Sequence, residues 1–114
     1  MKKLTKVLKA LSDQNRLRII KLLQLKTMCV CELKFSLGLA QSSISKHLKI
    51  LEEADLVEYR KEGLWVNYSL SGSPDNPYAA EMLEKLNKWL KQDKEFEDIL
   101  KKAAVADRQI ITRR

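Results

Sequence analysis

The fold is decided by residues 30–51, which read VCELKFSLGLAQSSISKHLKIL. Apolar side chains recur at helical spacing in both halves of this stretch, at Val30, Leu33 and Leu37 and then at Ile44, Leu48 and Leu51. Between them stands Gly38, at the position where glycine usually ends a helix. Two helices joined by the three-residue turn 38–40 predict a helix-turn-helix.

Two further helices are predicted upstream of this motif. The first has one apolar stripe at i, i+3, i+4 and i+7, formed by Leu4, Val7, Leu8 and Leu11. The second runs from about Gln14 to Leu25, after Ser12 or Asp13 as its cap. Apolar residues cover so much of its circumference that we expect this helix to be largely enclosed.

A β-hairpin and a last helix are predicted downstream. Residues 57–60 and 66–70 alternate apolar with polar side chains and are joined through residues 61–63. After a linker with both prolines, an apolar helical face extends from Tyr78 to about Lys102, either continuous or broken near residues 92–94. The expected fold is mainly α with a small β-hairpin, a winged helix-turn-helix of order α-α-α-α-β-β-α. We expect residues 1–102 to form one DNA-binding and dimerisation domain, and residues 103–114 to form a frayed, basic-ended tail.

Length and charge limit the functional classes. A chain of 114 residues has room for one modest core and not for a multidomain enzyme. The net charge is +7, and residues 1–26 hold eight basic side chains and one acid, which accounts for all of it. Such a balance favours a polyanionic partner, nucleic acid or an anionic membrane, although a solvated helix face is the simpler alternative. No apolar run approaches the roughly 20 residues that cross a bilayer, so we expect a cytoplasmic protein with no membrane partner.

The sequence does not predict an enzyme. It has no glycine-rich phosphate loop, a single histidine (His47), and no Ser/His/Asp or paired-carboxylate arrangement on a plausible scaffold. We therefore expect no small organic substrate.

The two cysteines form the pattern Cys29-Val30-Cys31, at the junction into the third helix. Thiols in a reducing cytosol are more often ligands or redox groups than disulfides. Residues i and i+2 of a regular helix are about 200° apart, so both thiols reach one ion only if the turn is irregular. The helix N-terminus is expected to lower the thiol pKa of Cys29. The alternative is that both are small semi-buried residues with no sensing role.

Four stretches in this order carry a resemblance to a known family: residues 8–23, 29–33, 41–51 and 63–68. Together they resemble the ArsR/SmtB transcriptional repressors, over residues 4 to about 90. The resemblance implies a homodimeric cytosolic repressor that sits on double-stranded operator DNA and leaves it when an inducer binds, often a metal or metalloid.

The resemblance also points to an inducer site. The resemblance is to the arsenite-responsive members, which carry CxC at the start of this helix and a third cysteine one turn later, where this chain has Lys34. The expected metal or metalloid ligands are Cys29 and Cys31, for As(III) or another thiophilic metal or metalloid, with no obligatory cofactor. A two-thiol site still admits a further ligand or a monomethylated arsenical. The alternatives are a thiol redox sensor and a non-sensing winged-helix module for DNA or protein interaction.

The DNA-contacting residues are expected on the second helix of the motif and on the wing. Short hydroxyl side chains at the start of a recognition helix allow close approach to base edges. The candidates are Gln41, Ser42, Ser43, Ser45, Lys46 and His47, with Arg60 and Lys61 on the wing. His47 is alternatively a hydrogen-bonded edge of the core. Ala40 stands where the family commonly places a capping hydroxyl.

Dimerisation is expected through the first and last helices, whose apolar stripes are expected to be too exposed for a monomer of this size. The residues expected in this interface are Leu4, Leu8, Met82, Leu86 and Trp89. The last helix contains no histidine, so a zinc site there is not expected.

Overall fold

A computed structural model describes residues 1–72, 75–89 and 93–106. These ranges contain six helices and a three-stranded antiparallel sheet. In chain order the elements are α1 (Lys2–Leu11), α2 (Gln14–Leu25), β1 (Met28–Cys29), α3 (Val30–Leu37), α4 (Gln41–Glu53), β2 (Val57–Glu62), β3 (Trp65–Leu70), α5 (Pro77–Lys88) and α6 (Lys94–Val105). The predicted winged helix-turn-helix is confirmed.

The core is built around α2, as its apolar circumference predicted. Helix α2 packs against the other five helices and strand β3. Its side chains Ile19, Ile20 and Leu22 are fully buried, Leu17 is half-buried against the core, and the terminal Leu25 is 52% exposed. The motif helices contribute Leu33 from α3 and the predicted inward residues Ile44, Leu48 and Leu51 from α4, all buried.

Local signals fix the ends of the motif helices. The carboxylate of Asp13 accepts a hydrogen bond from the backbone N–H of Arg16 at 3.1 Å and caps α2. Gly38 ends α3 in the left-handed conformation, at φ +68°, which glycine adopts without the steric penalty of a Cβ. Ala40 precedes α4 and offers no side-chain cap.

The wing differs from the prediction in three ways. Strand β1, which was not predicted, pairs with β3 and makes the hairpin a three-stranded sheet of order β1-β3-β2. Both hairpin strands are longer than expected, because pairing continues to Glu62 opposite Trp65. The tip is therefore Gly63-Leu64 and not residues 61–63. Gly63 has φ +62°, at the first loop position, where type II′ turns favour glycine.

The C-terminal region is two helices and not one. Helix α5 ends at Lys88, and α6 begins at Lys94 after Asp93, whose carboxylate accepts a hydrogen bond from the backbone N–H of Glu95. Helix α6 packs on α2 and α3, and its Ala103 is fully buried. Helix α6 therefore continues three residues past residue 102, where we expected the domain to end. Residues 107–114 of the expected tail lie outside the described residues.

The helices are short. The longest, α4, has 13 residues, and no helix in the described ranges combines the length and the apolar character that a membrane crossing requires.

Candidate functional site

One face of α4 carries most of the predicted DNA-contacting residues. Ser42, Ser45 and Lys46 are exposed, as is Gln41 at the start of the helix, while Ser43 is half-buried on the flank. Lys49 follows at the same i, i+3, i+4, i+7 spacing and is also exposed, so it extends this face. The sequence prediction did not include Lys49 among the DNA-contacting residues, although the helical spacing of Ser42, Ser45 and Lys46 already points to it.

His47 lies at the edge of this face and is half-buried. Its Nδ1 is 3.3 Å from Nη1 of Arg16 on α2. Since a guanidinium only donates hydrogen bonds, Nδ1 is the acceptor and the ring proton is on Nε2. The hydrogen bond at Nδ1 thus agrees with the alternative interpretation, in which His47 is a hydrogen-bonded residue at the edge of the core. The other nitrogen remains a donor that could meet a phosphate or a base.

Arg16, on α2, connects that helix to both α1 and α4. Its Nε donates to the carbonyl oxygen of Ala10 at 2.6 Å, and its Nη2 donates to that of Lys9 at 3.3 Å. It also lies 4.0 Å from the carboxylate of Asp13. Burial opposes ionisation of Asp13, but the backbone N–H and the charge of Arg16 hold its pKa below the ordinary value. Sequence reasoning did not identify this anchor, because its partners are backbone carbonyls at the end of α1.

The wing residues Arg60 and Lys61 are both exposed and lie within β2, not beside the tip. As neighbours in a strand they point to opposite faces of the sheet. Arg60 shares its face with Glu58 and Glu62, whereas the tip residue Leu64 is 96% exposed.

The cysteine pair occupies an irregular turn. Cys29 is both the last residue of β1 and the N-cap of α3, with an extended backbone at φ −86° and ψ 171°. This conformation turns its side chain back toward Cys31 in the first turn of α3, and the two Sγ atoms are 2.7 Å apart. Two thiols that a regular helix would separate are therefore adjacent. In the part of the chain that the structure describes, both are free thiols.

The expected low pKa of Cys29 is wrong. Burial above all, and then the hydrogen bond with Cys31, raise its pKa from the ordinary 9.0 to about 12. The backbone N–H of Glu32 works in the opposite direction, but the Glu32 side chain raises the pKa further. That carboxylate is buried, accepts from the backbone N–H of Cys29 at 3.0 Å and lies 3.9 Å from Nζ of Lys26. Cys29 is therefore a protonated thiol at neutral pH.

The described residues contain no group of three or more histidine, cysteine, aspartate or glutamate side chains arranged to hold a metal ion. Lys34, where the resembled arsenite sensors have a third thiol, is exposed on α3. The sulfur atoms available at this site are those of Cys29 and Cys31.

The residues expected in the dimer interface fall into three groups. Leu8 on α1 and Trp89 after α5 are 49% and 53% exposed. Leu4 and Met82 are half-buried. Leu86 is buried at 4% exposure within its own chain, so its assignment to an exposed stripe is wrong. The helical period placed Leu86 on the apolar face of α5, but that face packs against the chain's own core.

Comparison with known proteins matches residues 13–59 to the family described as "Bacterial regulatory protein, arsR family". These residues include α2, α3, the cysteine pair, all of α4 and the start of the wing. The family match therefore covers the helix-turn-helix and the thiols.

Two arsenical resistance operon repressors are similar in sequence. The protein from Escherichia coli K12 is 47% identical over 64 residues, which are 55% of this chain and 55% of that protein. The protein from Bacillus subtilis 168 is 38% identical over 84 residues, or 73% of this chain and 80% of that protein. Among solved structures, reduced HlyU from Vibrio cholerae N16961 has a TM-score of 0.66 at 37% identity, covering 79% of this chain and 90% of that one.

Proposed function

The chain belongs to the ArsR family of DNA-binding transcriptional repressors and is not an enzyme, and from this premise we propose that a trivalent arsenical ends its DNA-bound state by bonding to both Cys29 and Cys31. In this proposal the repressor acts in the cytoplasm as a homodimer on an operator. The observation that carries it is the approach of two reduced thiols to 2.7 Å at the start of the helix that supports α4.

The protonation state of Cys29 favours an arsenical over a divalent metal ion. A monosubstituted arsenical R–As(OH)₂ exchanges its two hydroxyl groups for two sulfurs, and each thiol proton leaves with a hydroxyl group as water. No proton is released to solution, so a pKa of about 12 at Cys29 does not oppose the exchange. A divalent ion binds thiolates and must expel the protons, which is unfavourable far below that pKa.

The number of thiols favours the same class of ligand. Arsenite has three exchangeable hydroxyl groups, whereas a methylated trivalent arsenical has two. With Lys34 at the third position, the pair matches the methylated form. We therefore assign a monosubstituted trivalent arsenical as the best-fitting inducer and arsenite as a weaker one.

The thiol pair is connected to both DNA-facing elements. Strand β1 places Cys29 opposite Asn67 of β3, which in turn lies opposite Arg60 of β2. Helix α3 packs on α4, and its Leu33 is fully buried. Bonding of one ligand to both sulfurs rearranges the turn that joins β1 to α3. It releases the repressor provided that the rearranged turn fits the DNA-free state better.

The inducer class predicts a pH dependence. Release of fluorescent operator DNA by monomethylarsonous acid should have the same half-release concentration between pH 6 and pH 8. Release by Cd²⁺, if it occurs, should require about 10- to 100-fold less metal per pH unit gained, because one or two protons must leave. Fluorescence anisotropy measures both. An arsenical half-release concentration that falls steeply with pH would contradict exchange at protonated thiols.

The second candidate is a thiol redox sensor, favoured by the same 2.7 Å separation and by the similarity to reduced HlyU. Here peroxide takes two electrons and both thiol protons, a Cys29–Cys31 disulfide forms, and two waters leave. Release by peroxide and not by an arsenical identifies this function. A chain that binds DNA and responds to neither is the non-sensing module.

The recognition face predicts separate effects on specificity and on affinity. Ser45→Ala or Lys46→Ala should reduce the difference in binding free energy between operator and random DNA by about 1–3 kcal/mol if the side chain reads a base edge. Arg60→Ala should weaken both affinities about equally, because a phosphate contact carries no sequence information. Competition titrations at fixed salt distinguish the two. Unchanged ratios for both α4 variants would mean that this face does not read the operator.

A further inference from the structure

Helix α1 has a lysine side that neither the core nor the predicted dimer interface uses. Val7, Ala10 and Leu11 are buried, and Leu8 is exposed beside them. A rotation of 100° per residue places Lys6 about 160° around the helix axis from Leu8. The exposed residues on this side are Lys2, Lys6 and Lys9, which we call the lysine row.

The lysine row begins next to the recognition helix. Its members Lys6 and Lys9 line a groove between α1 and α4, together with Arg16 and, on α4, Ile50 and Glu53. Ile50 lies one helical turn after Lys46, which is on the predicted DNA-facing surface. The lysine row therefore continues the predicted DNA-facing surface from α4 onto α1.

The charges of the row are not neutralised within the described part of the chain. No carboxylate there lies within ion-pair distance of Lys2, Lys6 or Lys9. By contrast, Lys3 donates a hydrogen bond to the backbone oxygen of Asp75 at 2.8 Å. Helix α1 contains no acidic residue, and the acid on the groove is Glu53. Such a row presents unpaired positive charge beside the DNA-reading helix.

We propose that the lysine row of α1 binds backbone phosphates of the DNA that flanks the sequence read by α4. Long flexible lysines suit phosphates, and phosphate contacts account for much of the affinity of DNA-binding proteins. An anionic membrane fits less well, because an interfacial helix inserts its apolar face, and that of α1 is buried in the core. The proposal rests on DNA binding and does not depend on thiol sensing.

The test compares two double variants that each remove two exposed lysines. Lys6→Ala with Lys9→Ala removes the two members of the row that line the groove, whereas Lys101→Ala with Lys102→Ala removes the same charge from α6. Binding to the operator, alone and extended by about ten base pairs on each side, is measured by anisotropy between about 50 and 200 mM salt. On the extended duplex, the α1 variant should bind about 5- to 10-fold more weakly, and its salt slope should fall by about 1 for each phosphate that the protein no longer neutralises. The ratio of operator to random-DNA affinity should not change, and the α6 variant should stay within about 2-fold of the parent.

Two outcomes would overturn the proposal. One is an equal salt slope for the two double variants, which would leave only a long-range effect of net charge. The other is an unchanged DNA slope together with a loss of binding to phosphatidylglycerol vesicles, which would assign the row to a membrane. A thermal melt of each variant checks folding. Arsenical release is measured in parallel: if it fails while the slopes differ as expected, only the thiol proposal fails.

Discussion

Cys29→Ser and Cys31→Ser should each leave operator binding nearly unchanged and abolish the release of operator DNA by monomethylarsonous acid. Each substitution takes away one of the two sulfurs that the arsenical must bond, so the ligand no longer bridges and rearranges the turn between β1 and α3. We expect the half-release concentration to rise by about 100-fold or more, the scale of a full allosteric coupling. Fluorescence anisotropy with labelled operator measures the affinity and the release in one titration.

Both variants should fold. Cys29 is the N-cap of α3, a position where serine is among the preferred residues, and Cys31 is only half-buried. A loss of response therefore reports on the sulfur and not on the helix. Release by the arsenical that survives replacement of both thiols would rule out the site.

A third thiol provides the matched gain of function. Lys34→Cys places a sulfur one turn after Cys31, so arsenite should release the DNA at a lower concentration than it does for the parent. Lys85→Cys replaces the same residue type with the same group at an exposed position of α5, a helix that does not carry the thiols, and should not improve the response. Equal gains from both variants would show that any added thiol suffices.

The helical part of the fold followed from periodicity and caps. The bounds of α2, the inward residues of α4 and the end of α3 at Gly38 were all predicted, because they depend on local spacing and, for α3, on one backbone position that favours glycine. Strand β1 was not predictable in this way. Two residues carry no alternation, and Met28–Cys29 becomes a strand only because β3 is present to pair with it.

The chemistry of the site was less predictable than its location. The sequence placed Cys29 at a helix start, where the helix dipole lowers a thiol pKa. It did not show that the same residue is 3% exposed and lies beside the buried carboxylate of Glu32. Burial outweighs the dipole here, and a protonated Cys29 supports the arsenical that the sequence already favoured as the ligand.

Leu8→Glu combined with Trp89→Glu should convert the proposed dimer into a monomer. Leu8 on α1 and Trp89 after α5 are each about half-exposed. A charge on each would have to be buried in a two-fold interface. Sedimentation should then give a mass of 13.2 kDa instead of twice that value. Operator affinity should fall by about 100-fold or more, because a monomer engages one half-site without the avidity of two.

The choice of residues makes this test decisive. Leu86→Glu would be uninformative, because Leu86 is buried in its own chain and a charge there would unfold α5 from the core. Leu25→Glu is the matched control, since Leu25 is 52% exposed at the end of α2 and should tolerate the charge without a change in mass. A parent chain that sediments as a monomer at micromolar concentration would refute the dimer. A double variant that remains dimeric would place the interface on another surface.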